Sequence, residues 1–144
     1  MPNFKDKIKP KGTGNFMSGG DIPIGGALEA ILIDSAKSQQ YDNFNYRIYI
    51  PDQHAIKTLN GTTVIDSAFQ GGLDDGTIKP GDYFALRRDE NTITNAGRTL
   101  LNFELYPAED DDDVIAWREE AENLLAEKGE TAPWLQDDND VSFG

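Results

Sequence analysis

The chain reads as mainly β: five strands closing into a barrel or sandwich, then one amphipathic helix, then an acidic tail. Three observations carry that reading. Phe44 to Ile50 alternates without a break, with Phe44, Tyr46, Ile48 and Ile50 against Asn45, Arg47 and Tyr49, which is the period of a half-buried strand. Short apolar runs before Tyr106 are separated by dense turn residues, among them Asn60-Gly61, Gly71-Gly72, Asp75-Gly76 and Lys79-Pro80-Gly81. Past Pro107 the apolar spacing lengthens to that of a helix, through Val114, Trp117, Ala121, Leu124 and Lys128.

Taken in order, residues 1–26 form a basic, then Gly-rich arm with no sustained apolar period, which predicts a flexible segment with at most one short strand. Residues 27–107 hold the β-domain. Ala27 to Ser35 is an Ile- and Leu-rich run that suits a strand buried on much of both faces, and it ends in the polar stretch 36–43. Phe44 to Ile50 is the second strand, stopped by Pro51. Asp52 to Asn60 has no decisive pattern. Asn60-Gly61 predicts a tight turn, because both residues tolerate positive φ, and a third strand is expected from Thr62 to Phe69. The glycines from Gly71 to Gly81 then argue against a helix, with Pro80 and Gly81 fitting the centre of a type II turn. Asp82 to Arg88 is the fourth strand, Glu90 to Arg98 a polar loop, and Thr99 to Tyr106 the fifth, with Leu101, Phe103 and Leu105 facing one way.

Residues 108–129 carry the helix, from about Asp113 to Lys128. Asp110 to Asp113 supply the negative charge that favours a helix N-terminus, and Gly129 is a natural stop. Residues 130–144 form the acidic tail, with an apolar point at Pro133-Trp134-Leu135 and a terminal octet expected to be disordered in isolation.

Charge is distributed very unevenly. Residues 107–144 carry 13 acidic and 2 basic side chains, a net −11, and residues 1–106 carry 11 basic against 13 acidic, a net −2, which together give the overall −13. A nearly neutral body joined to an anionic arm suggests a folded domain with an interaction tail. The sequence contains no Cys, which excludes disulfides, thiolate metal ligands and a cysteine nucleophile, and suits a reducing cytoplasm. The N-terminus has no apolar core of a signal peptide, and no run approaches the roughly 18 apolar residues of a membrane span, so a soluble, unprocessed protein without membrane partners is expected.

Side-chain catalysis has little to work with here. His54 is the sole histidine and has no specified partner, so it reads as an ordinary loop residue rather than a general base. The glycines between Gly12 and Gly26 lack the Gly-Lys-Ser/Thr ending of a phosphate loop. Asp110 to Asp113 lacks the alternating ligands and turn glycine of a calcium loop, and helix capping explains it better. No enzyme, cofactor or metal is expected.

A more specific signal is the mixture of aromatic and basic residues in the neutral body. With Phe44, Tyr46, Ile48 and Ile50 inward, Arg47 and Tyr49 line the outer face of the second strand, where they offer a cation and a ring. Single-stranded nucleic acid is bound by this combination, through base stacking of about 1–3 kcal/mol per base and phosphate contacts that release counterions. Arg47, Tyr49, Arg87, Arg88 and Arg98 are the candidates, with Lys37, Tyr41 and Lys57 in loops that could close over the strand. Lys5, Lys7, Lys9 and Lys11 could add phosphate contacts from the arm.

The β-body and the acidic, Phe-bearing terminus together resemble the single-stranded DNA-binding proteins of bacteria and their phages. That resemblance implies a five-stranded OB-fold-like barrel over residues 27–107. It also implies sequence-tolerant binding of single-stranded DNA in replication, recombination or repair, in a cytoplasm that would be the host's if the chain is phage-encoded. Asp137, Asp138, Asp140 and Phe143 look like the family's acidic and aromatic tip, which would recruit replication and recombination proteins. Two departures stand out: Gly144 follows the aromatic residue, and a helix replaces the long Gly/Gln/Pro-rich linker. The helix could pack on the barrel or mediate homo-oligomerisation. Two other readings compete, a virion structural or assembly β-domain and an acidic DNA-mimic inhibitor, and neither explains the neutral body with its aromatic-basic face.

Overall fold

The computed structural model describes residues 16–38 and 42–135. Its elements are β1 (Phe16–Met17), β2 (Ala27–Lys37), β3 (Phe44–Ile50), β4 (Ala55–Asn60), α1 (Thr63–Asp75), β5 (Tyr83–Arg88), β6 (Thr92–Ile93), β7 (Thr99–Leu100), β8 (Phe103–Pro107) and α2 (Asp112–Glu127). Six strands form one sheet in the order β1-β4-β3-β2-β5-β8, while β6 and β7 pair separately as a small hairpin. The β1–β4 pair is parallel and the other pairs of the large sheet are antiparallel.

The expected closed barrel of five strands is thus an open, mixed six-stranded sheet. The assignment of the strands differs first in residues 63–75. Thr62 caps a helix by accepting from Ile65 N at 3.3 Å, and Ile65 and Phe69, one helical turn apart, are fully buried. The β-branched run Thr62 to Ile65 is therefore helical at its start, not the third strand. That strand is instead β4, in the stretch without a decisive pattern. It follows β3 through a 3₁₀ turn at Pro51–Gln53 and His54 at φ 51°. Gly71 and Gly72, expected as turn residues outside any helix, lie inside α1. A Cβ on Gly72 would stand 2.9 Å from Ile78 Cγ2, so this glycine lets the helix settle on Ile78. The turn at Lys79 to Asp82 is as expected, with Gly81 at φ 97° and Asp82 N donating to Lys79 O at 3.0 Å.

Strand alternation divides the interior into two cores. On one face Leu28, Ala30, Leu32, Tyr46, Ile48, Leu59, Phe84, Leu86 and Phe103 pack beneath Ile65 and Phe69 of α1. Tyr46 stacks on Phe69 at 4.6 Å between ring centroids, and Phe69 meets Phe84 edge-on at 5.2 Å. On the other face Ile31, Ile33 and Tyr49 pack beneath Ala121 and Leu125 of α2 and beneath Ala132. A register shift between Leu32 and Asp34 marks a bulge in β2, and it brings Asp34 opposite Arg47. The molecule is a sheet clasped between two helices.

The helix expected near Asp113 to Lys128 is α2, with Asp111 as its cap accepting from Val114 N at 2.9 Å and Gly129 at φ 80° just past its end. The expected polar loop from Glu90 to Arg98 contains β6 and the turn of the β6–β7 hairpin, and the fifth strand is split into β7 and β8. Among the described residues no helix is long and apolar enough to cross a membrane.

Candidate nucleic-acid interface

The outer face of β3 carries Arg47 and Tyr49, as the alternation requires, but α2 lies over them. Tyr49 is fully buried among Ile31, Ile33, Ala121 and Leu125, so its ring is not available to a base in this conformation. Its hydroxyl is buried and has no hydrogen-bond partner among the described residues. An unpaired buried polar group costs about 1–3 kcal/mol, so the packing of α2 on this face is less favourable than an all-apolar contact would be.

Arg47 sits at the margin of the same contact. Its Nε and Nη2 donate to the two carboxylate oxygens of Asp34 at 2.9 and 2.7 Å, and Nη1 reaches Glu130 Oε1 at 2.8 Å. These bonds, Asp34 foremost, push its already high pKa higher still and hold it cationic at every ordinary pH. The cation expected to meet phosphate is neutralised by one carboxylate from the neighbouring strand and one from the segment after α2.

That segment is fastened at several points. Trp117 lies 5.4 Å from the Tyr83 ring, and Trp134 packs where a Cβ on Gly81 would come within 3.2 Å of its indole. The indole Nε1 donates to Glu122 at 2.8 Å. Arg118 Nε donates to Gly81 O at 2.8 Å, and its Nη2 bonds Asp110 at 2.6 Å, which holds that carboxyl below its ordinary range. His54 pairs with Glu120 of the helix at 2.7 Å. The histidine that sequence left as a loop residue thus tethers α2 near the β3–β4 turn.

The remaining candidates are dispersed. Arg87 is on the outer face of β5, opposite Ala27 of β2, while Arg47 is opposite Asp34. Seven positions along one strand separate the two by roughly 23 Å. Arg87 bonds Glu104 at 3.0 Å and Asp89 at 2.9 Å and lies 5.5 Å from the centre of the exposed Tyr106 ring. Arg88 points to the α1 side, where its Nη1 donates to the carbonyls of Gly20 and Ile22 at 3.3 and 2.8 Å. Lys57 lies opposite Ile48, a residue of the α1-side core, and is therefore not on the face of Arg47. Lys37 ends β2 and pairs with Asp42 at 3.4 Å, and Arg98 is exposed in the β6–β7 hairpin. The seven candidates among the described residues do not form one cluster.

Tyr41, Asp137, Asp138, Asp140 and Phe143 lie outside the described residues, as do Lys5, Lys7, Lys9 and Lys11. Sequence reasoning missed Asp34, Glu130 and the two tryptophans as neighbours of the site. Trp117 and Trp134 could have been found from their helical spacing and apolar context, whereas the Arg47 pairings depend on the β2 bulge. Compared with known proteins, the chain matches no family model, no curated protein and no solved structure.

Proposed function

We propose that the protein binds single-stranded DNA without sequence specificity on the outer face of β3 and β4, and that α2 is a displaceable cover over that face. The observation that carries this reading is the state of Tyr49, an aromatic residue beside Arg47 on the second long strand, buried under α2 with its hydroxyl unpartnered among the described residues. The strand order supports it. The long strands run β4-β3-β2-β5-β8 with α1 between β4 and β5, which is the connectivity of an OB-fold left unpaired between its third and fifth strands. OB-folds bind oligonucleotides on the face of their second and third strands, here β3 and β4.

In this mechanism the cover lifts, Glu130 leaves Arg47, and Arg47 and Tyr49 meet phosphate and base. The acidic tail supports the covered state by excluding phosphate and recruits partner proteins of replication or recombination when DNA takes its place. No side chain performs chemistry and no cofactor takes part, and the protein acts in the cytoplasm.

The test is a titration of fluorescent oligo-dT with the full chain and with a form ending at Gln136, which keeps every described element, at several salt concentrations. Tighter binding by the shorter form, weakening as salt rises, is expected. No binding by either form at low salt and high protein concentration would contradict the proposal.

A further inference from the structure

The large sheet ends at β8, and the ladder with β5 fixes which backbone groups of that strand face away from the sheet. Asp89 N donates to Asn102 O and Ala108 N to Tyr83 O, each at 2.9 Å, and both pairs continue the β5–β8 register. Bonded and non-bonded rungs alternate in an antiparallel pair, so positions 102, 104, 106 and 108 bond towards β5. The N–H and C=O of Phe103 and Leu105, and the C=O of Pro107, therefore point outward. They have no partner among the described residues. Gly19 reaches Phe103 at the tip of its ring, not at this outward backbone. A row of unpaired groups is a template for a further strand.

The sequence of β8 suits a second copy of itself. Outward-bonding positions must face one another, so an antiparallel copy has few registers to choose from. With Phe103 opposite Leu105, Glu104 would face Glu104 of the other copy, and like charges directly opposite are destabilising. With Leu105 opposite Pro107, the proline has no N–H to return a bond to Leu105 O. With Leu105 opposite Leu105 the whole strand overlaps. The two leucines then exchange both their bonds, and Phe103 N–H of each copy donates to Pro107 O of the other.

In that register the side chains also match. Glu104 already bonds Arg87 at 3.0 Å and accepts from the Tyr106 hydroxyl at 2.9 Å. Each carboxylate thus brings its own cation to the seam and faces the other copy's Tyr106, not a second carboxylate. On the α1 side Leu105 meets Leu105 and Phe103 meets Pro107. A groove of about 440 Å³ runs there between Ser67, Ala68 and Gly71 of α1 and the apolar side chains of β8. A Cβ on Gly71 would meet nothing within 4 Å, so the space beside it is open to Leu105 and Pro107 of the second strand.

We infer that two copies of the chain pair through β8, antiparallel and with Leu105 opposite Leu105, into one continuous sheet. The same patch serves both copies, so the contact closes at a dimer. β3 and β4 lie across β2 and β5 from the seam and stay outside it, and the inference does not rest on DNA binding.

So short a ladder is a small interface, and half-dimerisation on the order of 100 μM is expected. Sedimentation equilibrium of the full chain, up to about 1 mM, should show a reversible monomer–dimer equilibrium that stops at the dimer. Tyr106→Glu sets carboxylates opposite one another twice across the axis and should weaken dimerisation at least about tenfold. Adding Glu104→Lys sets opposite charges across the seam and should restore it. Both positions are exposed, so the melting temperature of each variant should stay close to the parent's. The chain has no cysteine, which permits a second test by oxidation of a mixture of Glu104→Cys and Tyr106→Cys chains. Non-bonded antiparallel partners stand about 4.5 Å apart at Cα, within reach of a disulfide, so the mixture should crosslink at least about tenfold faster than either variant alone. A monomer at every concentration, growth beyond the dimer, or no recovery on charge reversal would overturn the inference. Equal crosslinking rates in the mixture and the single variants would do the same.

Discussion

Arg47 Nη1 lies 2.8 Å from Glu130 Oε1, and this pair joins the sheet to the segment that follows α2. Both side chains remain about a third exposed, at 31% and 39%. An ion pair so placed contributes about 0–1 kcal/mol, enough to bias a cover without locking it. Glu130→Gln should therefore lower stability by no more than about 1 kcal/mol in urea unfolding, while tightening oligo-dT binding. Equal affinity of this variant and the parent would mean that Glu130 does not hold Arg47 from DNA.

The unpartnered hydroxyl of Tyr49 makes a second prediction. Tyr49→Phe keeps the ring and removes the buried polar atom, so it should be neutral or stabilising, by up to about 1–3 kcal/mol. Oligo-dT affinity should then fall, because the covered state gains the stability and the stacking ring is unchanged. Marked destabilisation in thermal unfolding would show that the hydroxyl has a partner in the folded protein.

Alkaline pH tests one tyrosine in each core. Tyr46 donates to Asp66 Oδ1 at 2.7 Å and accepts from Gln70 Nε2 at 3.3 Å. Burial raises its pKa most, Gln70 opposes the rise, and Asp66 adds to it. Tyr83 is raised as well, by burial first and then by its bond to Glu29. A phenol with a raised folded-state pKa contributes stability that is complete below the unfolded value of about 10 and is lost as pH climbs through the folded one. Unfolding free energy should thus be level from about pH 7 to 9 with respect to these groups and fall above about pH 10, and Tyr46→Phe should lessen the fall. An unchanged slope in that variant, followed by urea titrations at stepped pH, would remove Tyr46 from the explanation.

The parts of the fold that were legible in sequence are those with unambiguous periodicity. Phe44 to Ile50 and the α2 segment announce themselves, as does the Pro80-Gly81 turn, because each is specified within a few residues. Residues 62–75 were not legible as a helix. Their β-branched start and the Gly71-Gly72 pair argue locally for strand and turn, and burial of Ile65 and Phe69 on the sheet overrides both. The candidate site was half legible. Alternation placed Arg47 and Tyr49 on one face correctly, yet a strand pattern cannot say whether a face ends in water or under a helix from 70 residues further along. The Asp34 pairing needed the bulge at Ile33, which no local signal in Ala27 to Ser35 predicts.

Both tryptophans of the chain, Trp117 and Trp134, sit in the cover and pack against the Tyr49-containing core. Their emission therefore reports its position directly. Intrinsic fluorescence and acrylamide quenching of the full chain, recorded through a titration with oligo-dT, test whether DNA binding displaces α2. The account predicts a red shift and easier quenching that saturate together with binding. Binding with no change in either signal, or no binding at all, would contradict it.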